Sequence, residues 1–443
     1  MPATYSKALC EFIDAAPTAF HAVDSAEALL KASGAIRLDE RAVWKLENHA
    51  LYYVIRDDAS LIAFRPGSAA AAEQGFLLAG AHTDTPCLRA RLDKNISAKG
   101  MDRVAVEVYG GPINSTWLDR PLSLAGRVVL RQADGKLLTR LVNFARPMAV
   151  IPNLAIHLNR EVNKGFEYPV HTAMLPLVSA AGTAAKAGDP AQPPLSWLSL
   201  ALAAELGCQP ADILSAELNF YETQASLLFG QENELISAGR IDNLEGCHAV
   251  LSAFCAAKPA AHTQLAVLFD NEEIGSTSTR GANSSFLRDV MERIVAIRSS
   301  DSQDFYRASA ASLLLSVDGA QAWHPGFADK FDDTYGPVIN KGPAVKLNAN
   351  IRYATEARGE AGIRQLCQRQ NIPYQRFLMR ADLAPGSTIG PMTSALSGIR
   401  TVDIGLPMLA MHSIRETAGT RDHDWLIQLI QAAYEQGPSL LDS

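Results

Sequence analysis

The chain has 443 residues, 48% of them hydrophobic and 20% charged, with a formal net charge of -7. That length exceeds one comfortable hydrophobic core and predicts two domains, and the composition suits a soluble globular protein. The mildly acidic balance argues against nucleic-acid or acidic-membrane binding, and no apolar run approaches the ~20 residues of a membrane span.

Apolar spacing predicts helix from Tyr5 to Gly34, interrupted at Pro17. Residues 50–65 and 75–81 read as strands. The second, Gly75 to Ala81, is a continuous apolar run suited to burial on both faces, and it ends at His82-Thr83-Asp84. From about 89 to 235 the texture changes to short alternating segments, such as Val104–Tyr109, Gly126–Leu130 and Leu137–Val142. Turn signals such as Gly110-Gly111-Pro112 separate them. This predicts an inserted antiparallel β module, then a loose Ala/Gly/Pro run from Ser179 to Pro194 and a helix near Leu195–Leu206.

After 236, strands and helices alternate. Residues 244–257, 285–298, 356–370 and 424–435 read as helices. Residues 263–269, 312–317 and 399–405 read as strands. The expected fold class is α/β: a mixed, largely parallel sheet flanked by helices, with an inserted, mainly antiparallel β domain. The expected domains are 1–88 with 236–443, and 89–235.

Residues able to bind metal cluster at the ends of these strands. His82 and Asp84 follow one, Glu272 and Glu273 a second, Asp318 a third, and His412 lies a few residues past a fourth. Sites in open α/β sheets lie beyond the carboxyl ends of strands. Asp242 sits at a helix start, where a carboxylate either caps the helix or binds metal. A mixed imidazole and carboxylate set suits Zn²⁺, Mn²⁺ or Co²⁺. Five such ligands exceed what one catalytic zinc takes, and two ions sharing a carboxylate use them all. A pair of ions holds a hydroxide and polarises a carbonyl, which leaves Glu272 as proton acceptor. Taken singly, each residue has a blander role: an acidic loop, a core histidine, a helix cap, a turn aspartate. Their joint position at strand ends is what points to metal chemistry.

Several motifs resemble the M18 aspartyl aminopeptidases, a family of co-catalytic dizinc exopeptidases. They include Gly80-Ala81-His82-Thr83-Asp84-Thr85-Pro86, Leu154-Ala155-Ile156-His157-Leu158-Asn159-Arg160, Asp270 to Ser276, Gly386-Ser387-Thr388-Ile389-Gly390-Pro391 and Met411-His412-Ser413-Ile414-Arg415-Glu416. The resemblance runs essentially from end to end and implies a zinc-exopeptidase-like fold. It implies that His82 and Asp318 bind one ion, Glu273 and His412 the other, and that Asp242 bridges both. Glu272 is implied as general base, with Asp84 orienting His82. The implied activity is removal of an N-terminal Asp or Glu from peptides, with Lys346 recognising the acidic side chain. The implied assembly is a dodecamer built from dimers, the inserted module making the dimer contact and His157 reaching a neighbouring subunit's active site. The alternatives are an M42-like aminopeptidase of broader specificity and a non-catalytic, metal-bound, shell-forming scaffold.

Six scattered cysteines form no Cys-x-x-Cys pair and read as reduced, mostly buried thiols. The N-terminal residues show no signal peptide, so the expected location is cytoplasmic.

Overall fold

The computed structural model describes residues 5–181 and 196–441. From 182 onward, the expected Ala/Gly/Pro run lies outside the described residues. The chain forms two compact units. The larger comprises Met1–Asp84, Ser226–Met411 and Glu416–Ser443, and the smaller Thr85–Ala225 with His412–Arg415.

The larger unit is built on a nine-stranded mixed sheet. At its centre Thr263–Phe269, Phe76–His82, Leu313–Val317 and Arg400–Gly405 run parallel, side by side in that order. Ser60–Arg65 joins one side antiparallel, and Ala344–Lys346 joins the other antiparallel. The side chains of the Phe76–His82 strand divide with period two. Leu77, Ala79 and Ala81 enter one core; Phe76 and Leu78 enter the other. Both faces are therefore buried, which is why this strand reads as an unbroken apolar run.

The first face carries the helices Ser6–Ala15, Ala19–Ala32, Ile241–Ala256 and Thr420–Gln436. The opposite face is covered by Phe286–Ala296. That helix buries Phe286, Leu287, Val290, Met291, Ile294 and Val295, the stripe its spacing predicts. Each fully buried Leu, Ile or Phe in these layers contributes roughly 1.5–3 kcal/mol. A second sheet in this unit joins Leu227–Phe229, Leu235–Ala238, Glu416–Gly419, Pro407–Leu409 and Ala320–Gln321.

The smaller unit is a six-stranded antiparallel sheet in the order Leu137–Asn143, Leu122–Arg131, Ile213–Glu222, Cys87–Ala98, Met101–Tyr109, Leu177–Ser179. Helix Trp197–Leu206 supplies Leu198 and Leu202 to its core, and the Ser196 hydroxyl caps the helix by accepting the Ser199 N–H at 3.0 Å. The units divide at 84/85 and 225/226, earlier than the composition change suggests. The strand Cys87–Ala98 begins directly after the His82 motif, and Leu227–Ala238 belongs to the larger unit's second sheet. All six cysteines are free thiols, four of them buried. Among the described residues no helix is long and apolar enough to cross a membrane.

His248, inside helix Ile241–Ala256, is buried, and burial lowers its pKa from 6.5 to about 4. The unfolded chain binds this proton at a higher pH than the folded one, so this group's contribution to stability is complete above pH ~6.5 and is lost as pH falls toward ~4. Urea unfolding midpoints should drop across that window, with a shallower slope in a His248→Gln variant. An unchanged slope would remove His248 from the acid sensitivity.

Candidate metal centre

His82, Asn271 and Asp318 emerge from the same, carboxyl end of three adjacent parallel strands. The chain after Phe269 turns sharply, with Asn271 and Ser276 at φ 63° and 59° and Gly275 at φ 95°. The left-handed conformation at Gly275 is one that glycine adopts without steric cost. The short 3-10 turn Glu272–Ile274 sits between them. Asp84 holds this turn in place: its Oδ1 accepts the Glu272 N–H at 3.0 Å and its Oδ2 the Glu273 N–H at 3.1 Å. Below it, the Ser60 hydroxyl donates to the Arg280 carbonyl at 2.7 Å and accepts the Asp270 N–H at 3.0 Å.

The buried His82 imidazole is the centre of the cluster. Its Nδ1 lies 2.9 Å from the Asp84 carbonyl and 3.5 Å from the Asp84 carboxylate. The nearer partner is thus the backbone of Asp84, while its carboxylate serves the glutamate turn. His82 Nε2 faces Asp242 Oδ1 at 3.5 Å, Asp318 Oδ1 at 3.6 Å and Glu272 Oε2 at 4.0 Å. These separations exceed hydrogen-bond length. Two atoms ligating one tetrahedral ion at about 2.0–2.2 Å stand roughly 3.4 Å apart, close to the first two separations. Ligand atoms of His82, Asp242 and Glu273 all lie within 4.8 Å of one another, the one such group of three among the described residues. The donor set, imidazole and carboxylate, fits divalent zinc, manganese or cobalt.

Asp242 opens helix Ile241–Ala256, and the Asp242–Asn243 peptide is cis. Its backbone N–H donates to Glu416 Oε2 at 2.9 Å, and the Asn243 amide donates to the Val317 carbonyl at 2.8 Å. Glu416 is buried; it closes the Met411–Glu416 motif, but the sequence alone assigns it no task. Asp318 accepts from Lys346 Nζ at 3.3 Å, and Lys346 also lies over the Tyr353 ring at 5.2 Å. Sequence spacing did not place the proposed specificity lysine against a proposed ligand, because the strand Ala344–Lys346 that carries it is only three residues long.

Burial disfavours a charged His82, yet the Asp242, Asp318 and Asp84 carboxylates hold its pKa well above the ordinary value. Burial, with the Asp318, Asp84 and Asp242 charges, pushes Glu272 up to about 8 against the pull of His82. Burial likewise works against a charged Lys346, but Asp318, Tyr353, Asp403 and Asp242 raise it to about 12. The centre is thus strongly anionic, and it draws protons in the absence of other cations.

Two of the candidate residues belong to the smaller unit. His412 is half-buried, with φ 67°, and its Nδ1 lies 3.0 Å from the Gly111 carbonyl. A backbone carbonyl on one ring nitrogen is the partner that orients a ligand imidazole. His157 lies in an exposed turn of that unit.

The chain matches, over residues 12–434, the family model described as Aminopeptidase I zinc metalloprotease (M18). It is 43% identical to a probable M18 family aminopeptidase 2 of Ectopseudomonas mendocina over 426 residues, 96% of this chain and 97% of the relative. It is 44% identical to the protein of that name from Pseudomonas aeruginosa over 434 residues, 98% of this chain and 99% of the relative. Among solved structures, the fold resembles Ape4 in the Ape4 and Nbr1 complex, with TM-score 0.94 and 34% identity, covering 98% of this chain and 86% of that one. It also resembles the S. cerevisiae mApe1 dodecamer, with TM-score 0.87 and 25% identity, covering 99% and 98%. Together with the fold, these matches define a metal-dependent aminopeptidase. The chain belongs to the M18 family.

Gly405, at the end of strand Arg400–Gly405, lets the Asp318 backbone pass: a Cβ there would stand 1.7 Å from the Asp318 carbonyl oxygen. Gly405→Ala should therefore destabilise the protein by about 1–3 kcal/mol in urea unfolding. Gly386→Ala, where a Cβ meets nothing within 4 Å, should not. Equal stability of the two variants would contradict this packing.

Proposed function

We propose that the chain is a two-metal aminopeptidase that removes N-terminal Asp or Glu from peptides. The observation that carries the reading is the group His82, Asp242 and Glu273, with ligand atoms within 4.8 Å of one another, in an M18 chain. On this reading His82 and Asp318 hold one ion and Glu273 and His412 the other, with Asp242 shared. Zn²⁺ is the expected ion, with Mn²⁺ or Co²⁺ possible at one site. Bound there, the ions supply carbonyl polarisation and a water nucleophile at neutral pH.

The residues do the rest. Glu272 accepts the proton of the attacking water and returns it to the leaving amine, the part a positioned carboxylate plays in general base catalysis. Asp84 fixes that carboxylate's approach by holding the Glu272 and Glu273 N–H groups. Lys346 serves as counter-charge for the substrate's acidic side chain. Its pairing with Asp318 means that the same ammonium neutralises the centre when no substrate carboxylate is present.

The inserted β module, expected at residues 89–235, is proposed as the dimerisation module of a dodecamer, with His157 contributing to a neighbouring subunit's site. The support is the dodecameric state of the S. cerevisiae mApe1 structure and the resemblance of the Leu154–Arg160 motif. The proposed location is the cytoplasm.

Glu272→Gln should lower kcat by ~10²–10⁴-fold while metal content, read by elemental analysis, stays unchanged. Near-normal turnover would remove Glu272 as the base. Lys346→Leu should cut the kcat/KM preference for aspartyl over leucyl amides by roughly 10–100-fold, the worth of one charge-assisted hydrogen bond. Unchanged selectivity with metals retained would exclude Lys346 from the substrate pocket.

A further inference from the structure

The Gly386–Pro391 motif has no part in the mechanism above, yet it packs on a buried carboxyl group beside the strand that carries Lys346. Asp403, in strand Arg400–Gly405, has no exposed surface. Its Oδ1 accepts the Thr388 hydroxyl at 2.5 Å. That hydroxyl accepts the Gly390 N–H at 3.2 Å and so caps helix Ile389–Ser397, which leaves its proton for Asp403. Gly390 makes the approach possible: a Cβ there would stand 2.5 Å from Asp403 Oδ1. The other oxygen, Oδ2, accepts the Ala354 N–H at 2.6 Å.

The backbone of Asp403 is engaged by the same segment. Strand Ala344–Lys346 pairs with Arg400–Gly405 at Ala344↔Gly405 and Val345↔Ile404, which puts Asp403 next in register, opposite Lys346. There the Thr355 hydroxyl accepts the Asp403 N–H at 2.8 Å and donates to the Asp403 carbonyl at 3.4 Å. The Ser387 hydroxyl of the motif donates to the Arg352 carbonyl at 3.2 Å. Residues 352–355 are thus fastened to Asp403 and to the motif. They carry Tyr353, which is buried; its ring packs against Phe377 at 6.0 Å and lies 5.2 Å from Lys346 Nζ. Asp318 Oδ2 stands 3.3 Å from the same ammonium. A lysine ammonium ends a flexible four-carbon stem and needs its surroundings to fix its direction. Here an aromatic face and a carboxylate fix it, and Asp403 holds the segment that brings the aromatic face.

We propose that Asp403 is a positioning residue for recognition of the substrate's acidic side chain: by holding Ala354 and Thr355 it keeps the Tyr353 ring over Lys346 and the ammonium in one place. It acts through Lys346 and makes no contact with substrate. The inference rests on the reading of Lys346 as counter-charge for an acidic N-terminal residue. The rival role for Asp403 is to tie helix Ile389–Ser397 to the sheet and nothing more. Loss of such a tie would weaken the enzyme toward every substrate alike, whereas loss of positioning falls on acidic substrates.

The test compares the zinc-loaded full chain with Asp403→Ala, Asp403→Asn and Thr355→Val. Asp403→Ala should lower the kcat/KM preference for aspartyl over leucyl amides roughly tenfold, within the range of a desolvated cation–π contact. The change should lie in KM for the aspartyl amide and not in its kcat. Asp403→Asn should restore most of the preference, because its amide oxygen can still accept the Ala354 N–H. Thr355→Val, at a half-buried position, removes only the contacts to the Asp403 backbone. It should lose preference in the same direction by a smaller factor, and it serves as the test if Asp403→Ala does not fold. Hydrogen exchange of residues 350–358, read by mass spectrometry, reports on the segment without any turnover. It should be faster in Asp403→Ala and Thr355→Val than in wild type or Asp403→Asn. Unchanged preference in a variant whose segment exchanges faster would overturn the proposal, and so would equal losses toward aspartyl and leucyl amides. A wild-type chain without aspartyl preference, or a Lys346→Leu variant that keeps it, contradicts the reading of Lys346 and takes the positioning role with it; the exchange data then decide whether Asp403 anchors the segment.

Discussion

Negative charge packed into a buried space is the constraint on which the rest of the larger unit depends. Asp242, Asp318 and Glu272 stand 3.5–4.0 Å from one imidazole nitrogen of His82. Asp84 is adjacent, its carboxylate occupied by two backbone N–H groups. Like charges this close, out of water, are unfavourable unless cations or protons answer them. Without metal the answers are Lys346, a protonated His82 and a Glu272 whose affinity for a proton is raised. Metal ions supply the same neutralisation with better directionality, and that is the physical link between the fold and metal-dependent hydrolysis.

The architecture serves this crowding. Parallel neighbours bring His82, Asp318 and the glutamate turn out at one sheet end, which antiparallel neighbours would not do. The shell around the ligands is rigid for local reasons: the Glu416 carboxylate on the Asp242 N–H, the Asn243 amide on Val317, and the missing side chain at Gly405. A side chain held by such contacts keeps its position when charge nearby changes.

Much of this was legible in the sequence, for identifiable reasons. Strands buried on both faces announce themselves as apolar runs, so Phe76–His82, Thr263–Phe269 and Leu313–Val317 were visible along with the residues at their ends. The helix from Phe286 was visible through its stripe. The shortest strands were not: Ala344–Lys346 and Gln375–Phe377 have three residues each, too few to show a period. Ile213–Glu222 is harder to read because its first half, Ile213 to Glu217, buries no residue and only Leu218 to Glu222 alternate. Within the site, the ligand candidates could be named because each lies at or near the end of a strand or the start of a helix. The tasks of Glu416 and of Lys346 toward Asp318 come from pairings across more than 25 residues, which no local pattern encodes. The motif resemblance reached further than periodicity, and the M18 match over 12–434 agrees with it.

The central claim is that this cluster holds two divalent ions in each chain. The direct measurement is zinc titration of the chelated full-length protein, with bound metal counted by elemental analysis after removal of free ion. The account predicts two ions per chain at saturation, and loss of binding when Asp242→Ala removes the shared ligand. Saturation at one ion, or full binding by Asp242→Ala, would contradict it.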